Sequence, residues 1–149
     1  DDIEALLEPY HPGKAILDIS CGTGSMAVRL AQRGWQLTAV DLSSYMIEMA
    51  RVKAREAEVA LTFAVGDMVQ YHDGRRYDVI INLHDGLNYL LDDKTILAFL
   101  DNAHDLLEPE GILIFDVVTP LLCQTHFRGY REIFHDELGG YERYTSYDP

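Results

Sequence analysis

The chain has 149 residues, 48% hydrophobic and 25% charged, which is the size and composition of one soluble globular domain with its own core. Its formal net charge of −13 opposes phosphate backbones, so no nucleic-acid partner is expected, and no run of about eighteen apolar residues offers a membrane span. The two cysteines, Cys21 and Cys123, make neither a disulfide framework nor a zinc spacing, so a reducing, cytoplasmic setting and no metal are expected.

The first ten residues, DDIEALLEPY, are acidic and lack the basic and apolar regions of a signal peptide. DIEALL predicts a short helix stopped by Pro9, Pro12 and Gly13. KAILDI is a nearly all-apolar strand, the pattern of a sheet covered on both faces. From Ser25, residues Ala27, Leu30 and Ala31 recur at helical spacing, and Gly34 stands where a helix would end. WQLTAVD is the second strand. Ser43 or Ser44 caps a helix over roughly Tyr45 to Ala57. LTFAVGD and YDVIINL are the third and fourth strands. Asp92 or Asp93 opens a helix whose apolar face is Ile96, Leu100, Ala103 and Leu107, with Pro109 and Gly111 as its stop. GILIFDVV is a fifth strand. Strands alternating with helices predict an α/β fold: a doubly wound, mostly parallel sheet with helices on both faces.

After residue 120 the character changes. Phe127, Tyr130, Phe134, Tyr141, Tyr144 and Tyr147 crowd an acidic stretch, and REIFH and YERYTSY flank DELGG as a hairpin. The expected organisation is a core over residues 1–120 and, over 121–149, a partial acceptor-side or lid segment of the same domain. The sequence stops inside an unfinished element, so the sheet is expected to be truncated after its fifth strand. The aromatics serve either an acceptor pocket or, as the favoured reading, the core face of the hairpin.

The chemistry concentrates between the first strand and the following helix. Gly22 and Gly24 permit a sharp turn and leave room for a ligand, and the helix start presents free N–H groups. GTGSMA also satisfies a dinucleotide-binding pattern. Asp18 precedes the glycines, however, and a carboxylate is a poor neighbour for a pyrophosphate but a good one for an ammonium or sulfonium group. Asp41 ends the second strand about 20 residues on, where a carboxylate accepts from ribose hydroxyls. A nucleoside with a cationic tail fits this pair, and S-adenosylmethionine has that chemistry.

LDISCGTG, VDLSSYMIEMA and VGDMVQY together resemble the class I S-adenosylmethionine-dependent methyltransferases, of the small-molecule or uncharacterised bacterial type, over Ala15 to Val118. The resemblance implies a Rossmann-like fold and S-adenosyl-L-methionine as cofactor. It assigns Asp18 to the methionine end, Asp41 to ribose, and Leu42, Met46, Asp67 and Met68 to adenine, with Ser20, Cys21, Gly22, Gly24, Asn82 and Leu83 completing the cofactor set. The family usually has glycine where this chain has Ser20. Other readings stay open: Asp41 as a helix cap, Asp67 as a turn residue, Met46 and Met68 as core filler, Cys21 as a small space-filling residue.

The stretch NLHDGLNYL ends the fourth strand, which in the family faces the transferable methyl. His84, Asp85, Asn88 and Tyr89 are the candidates there, with His84 the best base or else a loop histidine bonded to backbone. The stretch is not the Asn/Asp-Pro-Pro-aromatic signature of many enzymes that methylate amino groups of bases or amides, which argues against DNA-base and glutamine substrates. DGLNYL resembles the loop of small-molecule methyltransferases, and that resemblance implies a small-molecule acceptor. The competing readings are an NAD(P)-dependent oxidoreductase, which Asp18 disfavours, and a non-catalytic module that binds S-adenosylmethionine.

Overall fold

Five parallel strands make the main sheet of the computed structural model, which describes residues 2–10, 13–136 and 139–146. They are β1 (Ala15–Ile19), β2 (Gln36–Asp41), β3 (Thr62–Val65), β4 (Tyr77–Asn82) and β5 (Leu107–Phe115), in the spatial order β3-β2-β1-β4-β5. Helix α1 (Asp2–Leu7) precedes the sheet, α2 (Ser25–Gln32) joins β1 to β2, α3 (Ser44–Glu56) joins β2 to β3, and α4 (Asp93–Leu106) joins β4 to β5. Strand order reverses at β1, whose two neighbours are β2 and β4. Loops leaving β1 and β4 therefore diverge to opposite faces and open a crevice at the strands' carboxyl ends.

The apolar runs of the sequence are explained by two cores. In β1 no residue from Ile16 to Ile19 is more than 3% exposed, because the sheet is covered on both sides. On one side Ile16, Leu37, Ala39, Val79 and Ile81 pack with Ala27 and Leu30 of α2 and with Ile3 and Leu7 of α1. On the other Leu17, Ile19, Val40 and Ile80 pack with Phe99, Ala103 and Leu106 of α4. Glu4 ties α1 to the α2 end of the first layer, accepting from Arg33 and from Trp35 Nε1.

Two expectations needed adjustment. The stop of α4 falls at Leu106, not at Pro109; Leu107 already pairs with Tyr77, and residues 108–111 then form an irregularity before Ile112 rejoins β4 opposite Val79. Glu110 has φ +69° within it, so Pro109 and Gly111 shape a bulged entry to β5 instead of ending a helix. The chain divides into two compact units, Asp1–Asp116 and Val117–Pro149. In the second unit, a helical turn at Pro120–Leu122, capped by Thr119, runs into a wider turn over Cys123–Phe127. There β6 (Arg131–Asp136) pairs antiparallel with β7 (Gly139–Tyr144), as the sequence suggested. Among the described residues the hairpin's aromatics do not form a buried face: Phe134 is 48% and Tyr144 65% exposed. Arg131 pairs with Glu142 and lies over the Tyr144 ring. His11, Pro12, Tyr147 and the hairpin's Glu137 and Leu138 lie outside the described residues.

Candidate functional site

A cleft of about 820 Å³ lies at the carboxyl ends of β1, β2 and β4 in the first unit. Its floor is the loop after β1. Ser20 and Cys21 both donate their backbone N–H to the Val40 carbonyl, at 2.8 and 2.9 Å, which ties the loop to β2. Gly22 has φ +53° with open space where a side chain would begin, and Gly24 has φ +73° and sits so close to α3 that a Cβ would lie 2.7 Å from that of Ala50. The two glycines thus serve different ends: Gly22 keeps the cleft open, and Gly24 lets α2 and α3 pack.

Asp41 joins the two loops. Its Oδ2 accepts from the Gly22 N–H at 2.8 Å and its Oδ1 from the Ser43 N–H at 2.9 Å. The cap of α3 is Ser43, which accepts from Met46 N–H. So Asp41 is not the cap; it is a carboxylate held at the cleft wall by two backbone donors, with lone pairs left over for hydroxyls. Asp67 is a turn residue that also faces the cleft. Its side chain accepts from Val69 N–H at 2.9 Å, a turn contact, and it lines the cleft.

Asp18 is the electrostatic centre. It is 3% exposed, its Oδ2 has no hydrogen-bond partner, and it lines the cleft. Burial first, and then the neighbouring Asp41 charge, push its carboxyl up to about 7. Two further buried oxygens lack partners, Ser20 Oγ and Asn82 Oδ1; both crowd the position a Cβ on Gly86 would take. Ser20 itself has φ +89°, a backbone conformation glycine adopts freely and serine does not. Burial, together with Asp18 and Asp41, also drives the Cys21 thiol far above its usual range. It is a protonated, half-buried side chain and no nucleophile at neutral pH.

Of the residues expected at the site, Asp18, Ser20, Cys21, Gly22, Asp41, Leu42, Met46, Asp67, Met68, Leu83, His84 and Tyr89 line the cleft. Gly24, Asn82, Asp85 and Asn88 do not. Asn82 is fully buried and braces the site from behind: its Nδ2 donates to the Ile19 carbonyl at 3.0 Å, with Met68 Sδ 3.5 Å away. His84 and Asp85 form a pair of left-handed residues, φ +57° and +58°. Their N–H groups donate to the Asp116 carboxylate at 3.2 and 2.9 Å.

Several residues that sequence reasoning passed over belong to the site or hold it. Thr23, Ser25, Met26, Ser43, Gly66 and Gly86 line the cleft. Asp116 fixes the turn after β4. Asn102 of α4 donates to the carbonyls of Met68 and Tyr71, at 3.0 and 3.2 Å, and so fixes the loop after β3. Gly66 and Gly86 carried a signal, being small residues next to Asp67 and Asp85; Asn102 and Asp116 carried none.

A doubly wound parallel sheet with a glycine loop, a buried carboxylate and a strand-end acid around one switch-point crevice defines a Rossmann-like nucleoside-binding protein. The charge is wrong for a diphosphate and suits a cationic tail. A family model described as a methyltransferase domain matches residues 16–111, and the chain belongs to that family of S-adenosylmethionine-dependent methyltransferases. Two relatives whose names read "Putative methyltransferase", from Geobacillus sp. (strain WCH70) and Bacillus subtilis (strain 168), are each 38% identical to it. Those matches cover 70% and 74% of this chain but only 42% and 45% of the relatives, so the chain spans less than half their length. Among solved structures, an S-adenosylmethionine-dependent methyltransferase from Clostridium acetobutylicum ATCC 824 superimposes with a TM-score of 0.80 at 24% identity, over 91% of this chain and 55% of that one. An amino pentose methyltransferase from Micromonospora echinaspora, solved with S-adenosylmethionine bound, gives 0.76 at 23% identity, over 91% and 56%. At those identities the likeness shows the shared fold.

Proposed function

We propose that the cleft binds S-adenosylmethionine and that the protein moves its methyl group to a small-molecule acceptor. The observation that carries this reading is the unpartnered, buried Asp18 oxygen beside a second carboxylate in a nucleoside-sized cleft. Leaving such a group unsatisfied is costly, and a cation satisfies it. In this arrangement Asp41 takes the ribose hydroxyls. Leu42, Met46, Asp67 and Met68 take the adenine, and Asp18, with the loop from Ser20 to Gly22, takes the cationic methionine end.

When bound, the cofactor supplies a methyl already activated by a cationic sulfur. The chain therefore needs to hold the acceptor in line and keep water out, and a general base only if the acceptor gives up a proton. His84 and Tyr89, both lining the cleft at the β4 end, are the groups proposed to meet the acceptor. Asp85 is proposed to act by holding the turn, since it does not line the cleft. A small-molecule acceptor is supported by the names of relatives: amino pentose and sugar N-methyltransferases among structures, and the ubiquinone biosynthesis O-methyltransferase of Coxiella burnetii among sequences, 28% identical.

The test is transfer of a labelled methyl from S-adenosylmethionine to a panel of amino sugars, phenols and carboxylates. Label appearing in one class supports the proposal. Tight cofactor binding with no transfer to any acceptor, in the panel or in a cell extract, would make the protein a binding module instead. In the enzyme, replacing His84 by Ala should cost about 100-fold in kcat. Unchanged turnover would take His84 out of proton transfer.

A further inference from the structure

Beside the cleft, behind two of its lining residues, is a cationic corner that the reading above does not use. Lys53, on the last turns of α3, donates from Nζ to Thr23 Oγ1 at 3.0 Å and to Ser25 Oγ at 2.6 Å. Both hydroxyls belong to residues that line the cleft. Among the described residues Lys53 has no ion pair with a carboxylate. An ammonium only donates, so toward Lys53 both hydroxyls must accept. Their own O–H protons are then turned away from the lysine and free to donate elsewhere.

The same place is the start of α2. Its cap, Gly24, has no side chain, so no side-chain oxygen satisfies the first-turn N–H groups. Two hydroxyl donors on cleft-lining residues, free backbone donors and the lysine charge behind them thus come together next to the loop after β1, in the same cleft that holds the unpartnered Asp18 oxygen. A ligand serving both carries a cation and an anion on one short tail. The anion needs such a corner, because Asp18 and Asp41 would otherwise repel it.

We propose that Lys53 is a positioning residue for the ligand's carboxylate. It orients the Thr23 and Ser25 hydroxyls as donors and supplies the countercharge, which makes the cleft selective for an amino-acid tail over a bare nucleoside thioether. The proposal rests on S-adenosylmethionine being the ligand, and the experiment separates the two claims. Binding of S-adenosylhomocysteine and of its decarboxylated analogue, which keeps the amine, is measured by calorimetry on wild type, Lys53→Met, Lys53→Arg and the double variant Thr23→Val/Ser25→Ala.

The expected result is that Lys53→Met weakens S-adenosylhomocysteine at least tenfold and leaves the decarboxylated analogue within about twofold. Lys53→Arg should recover most of the loss, and the double variant should reproduce it. An equal loss for both ligands would make Lys53 a loop clamp only, and no loss for either would leave it without a role; each overturns the proposal while cofactor binding stands. Wild type binding neither ligand would overturn both. If Lys53→Met fails to fold, the double variant decides by the same comparison.

Discussion

Asp18 sets function against stability in one side chain. Its carboxyl is raised to about 7 by burial and by Asp41, so the fold holds a proton there that the unfolded chain releases near pH 4. The folded state binds more protons across that window. Stability from this group is therefore fully present below about pH 4 and is lost as pH rises to 7, by on the order of 4 kcal/mol without ligand. Replacing Asp18 by Asn should raise the melting temperature at pH 8, measured calorimetrically without ligand, while cofactor affinity falls at least tenfold. A variant that melts lower and binds normally would contradict both signs. Ser20 shows a different mismatch. The motif located the loop, and only the backbone angle, φ +89°, reveals that serine occupies a glycine position and buries an unpartnered hydroxyl. Ser20→Gly should stabilise the fold by about 1 kcal/mol in urea titration. It should also soften the effect of Gly86→Ala, whose added Cβ would strike Ser20 Oγ and Asn82 Oδ1. Additive effects in the double variant would show that the crowding relaxes elsewhere.

At the scale of elements, the sequence carried most of the architecture, because buried parallel strands leave continuous apolar runs. AILDI and YDVIIN are such runs, and each became a central strand. What stayed hidden depends on partners far apart in sequence. Asn102 lies in α4 among polar residues and gives no sign that it clamps the loop holding Asp67 and Met68. Asp116 reads as the end of a strand, yet it binds the two left-handed residues His84 and Asp85. The bulged entry to β5 was hidden for the same reason: Pro109 and Gly111 signal a break in either element, and only pairing with β4 decides which. Asn102→Ala should cost about 1–2 kcal/mol of stability, since two partly buried carbonyls lose one amide donor. It should also weaken adenosine binding severalfold while leaving the methionine end untouched. Equal weakening of every ligand would mean that the whole cleft, and not one loop, has loosened.

For the molecule as a whole, the two halves of the charge argument meet in one cleft. An overall charge of −13 mostly concerns solubility, whereas two carboxylates at the switch point of the sheet, one of them buried, concern a ligand. The sequence located both acids, because the strand–glycine–helix order and the spacing to Asp41 are local facts. It could not show that Asp18 lacks a partner, which is a property of the closed core. Calorimetric titration with S-adenosylhomocysteine at pH 6, in two buffers of different ionisation enthalpy, tests that core claim most directly. Binding should release a proton as the ligand's ammonium draws Asp18 into its charged form, and Asp18→Asn should bind at least tenfold more weakly with no proton released. No binding by wild type, or binding unaltered in Asp18→Asn, would contradict the account.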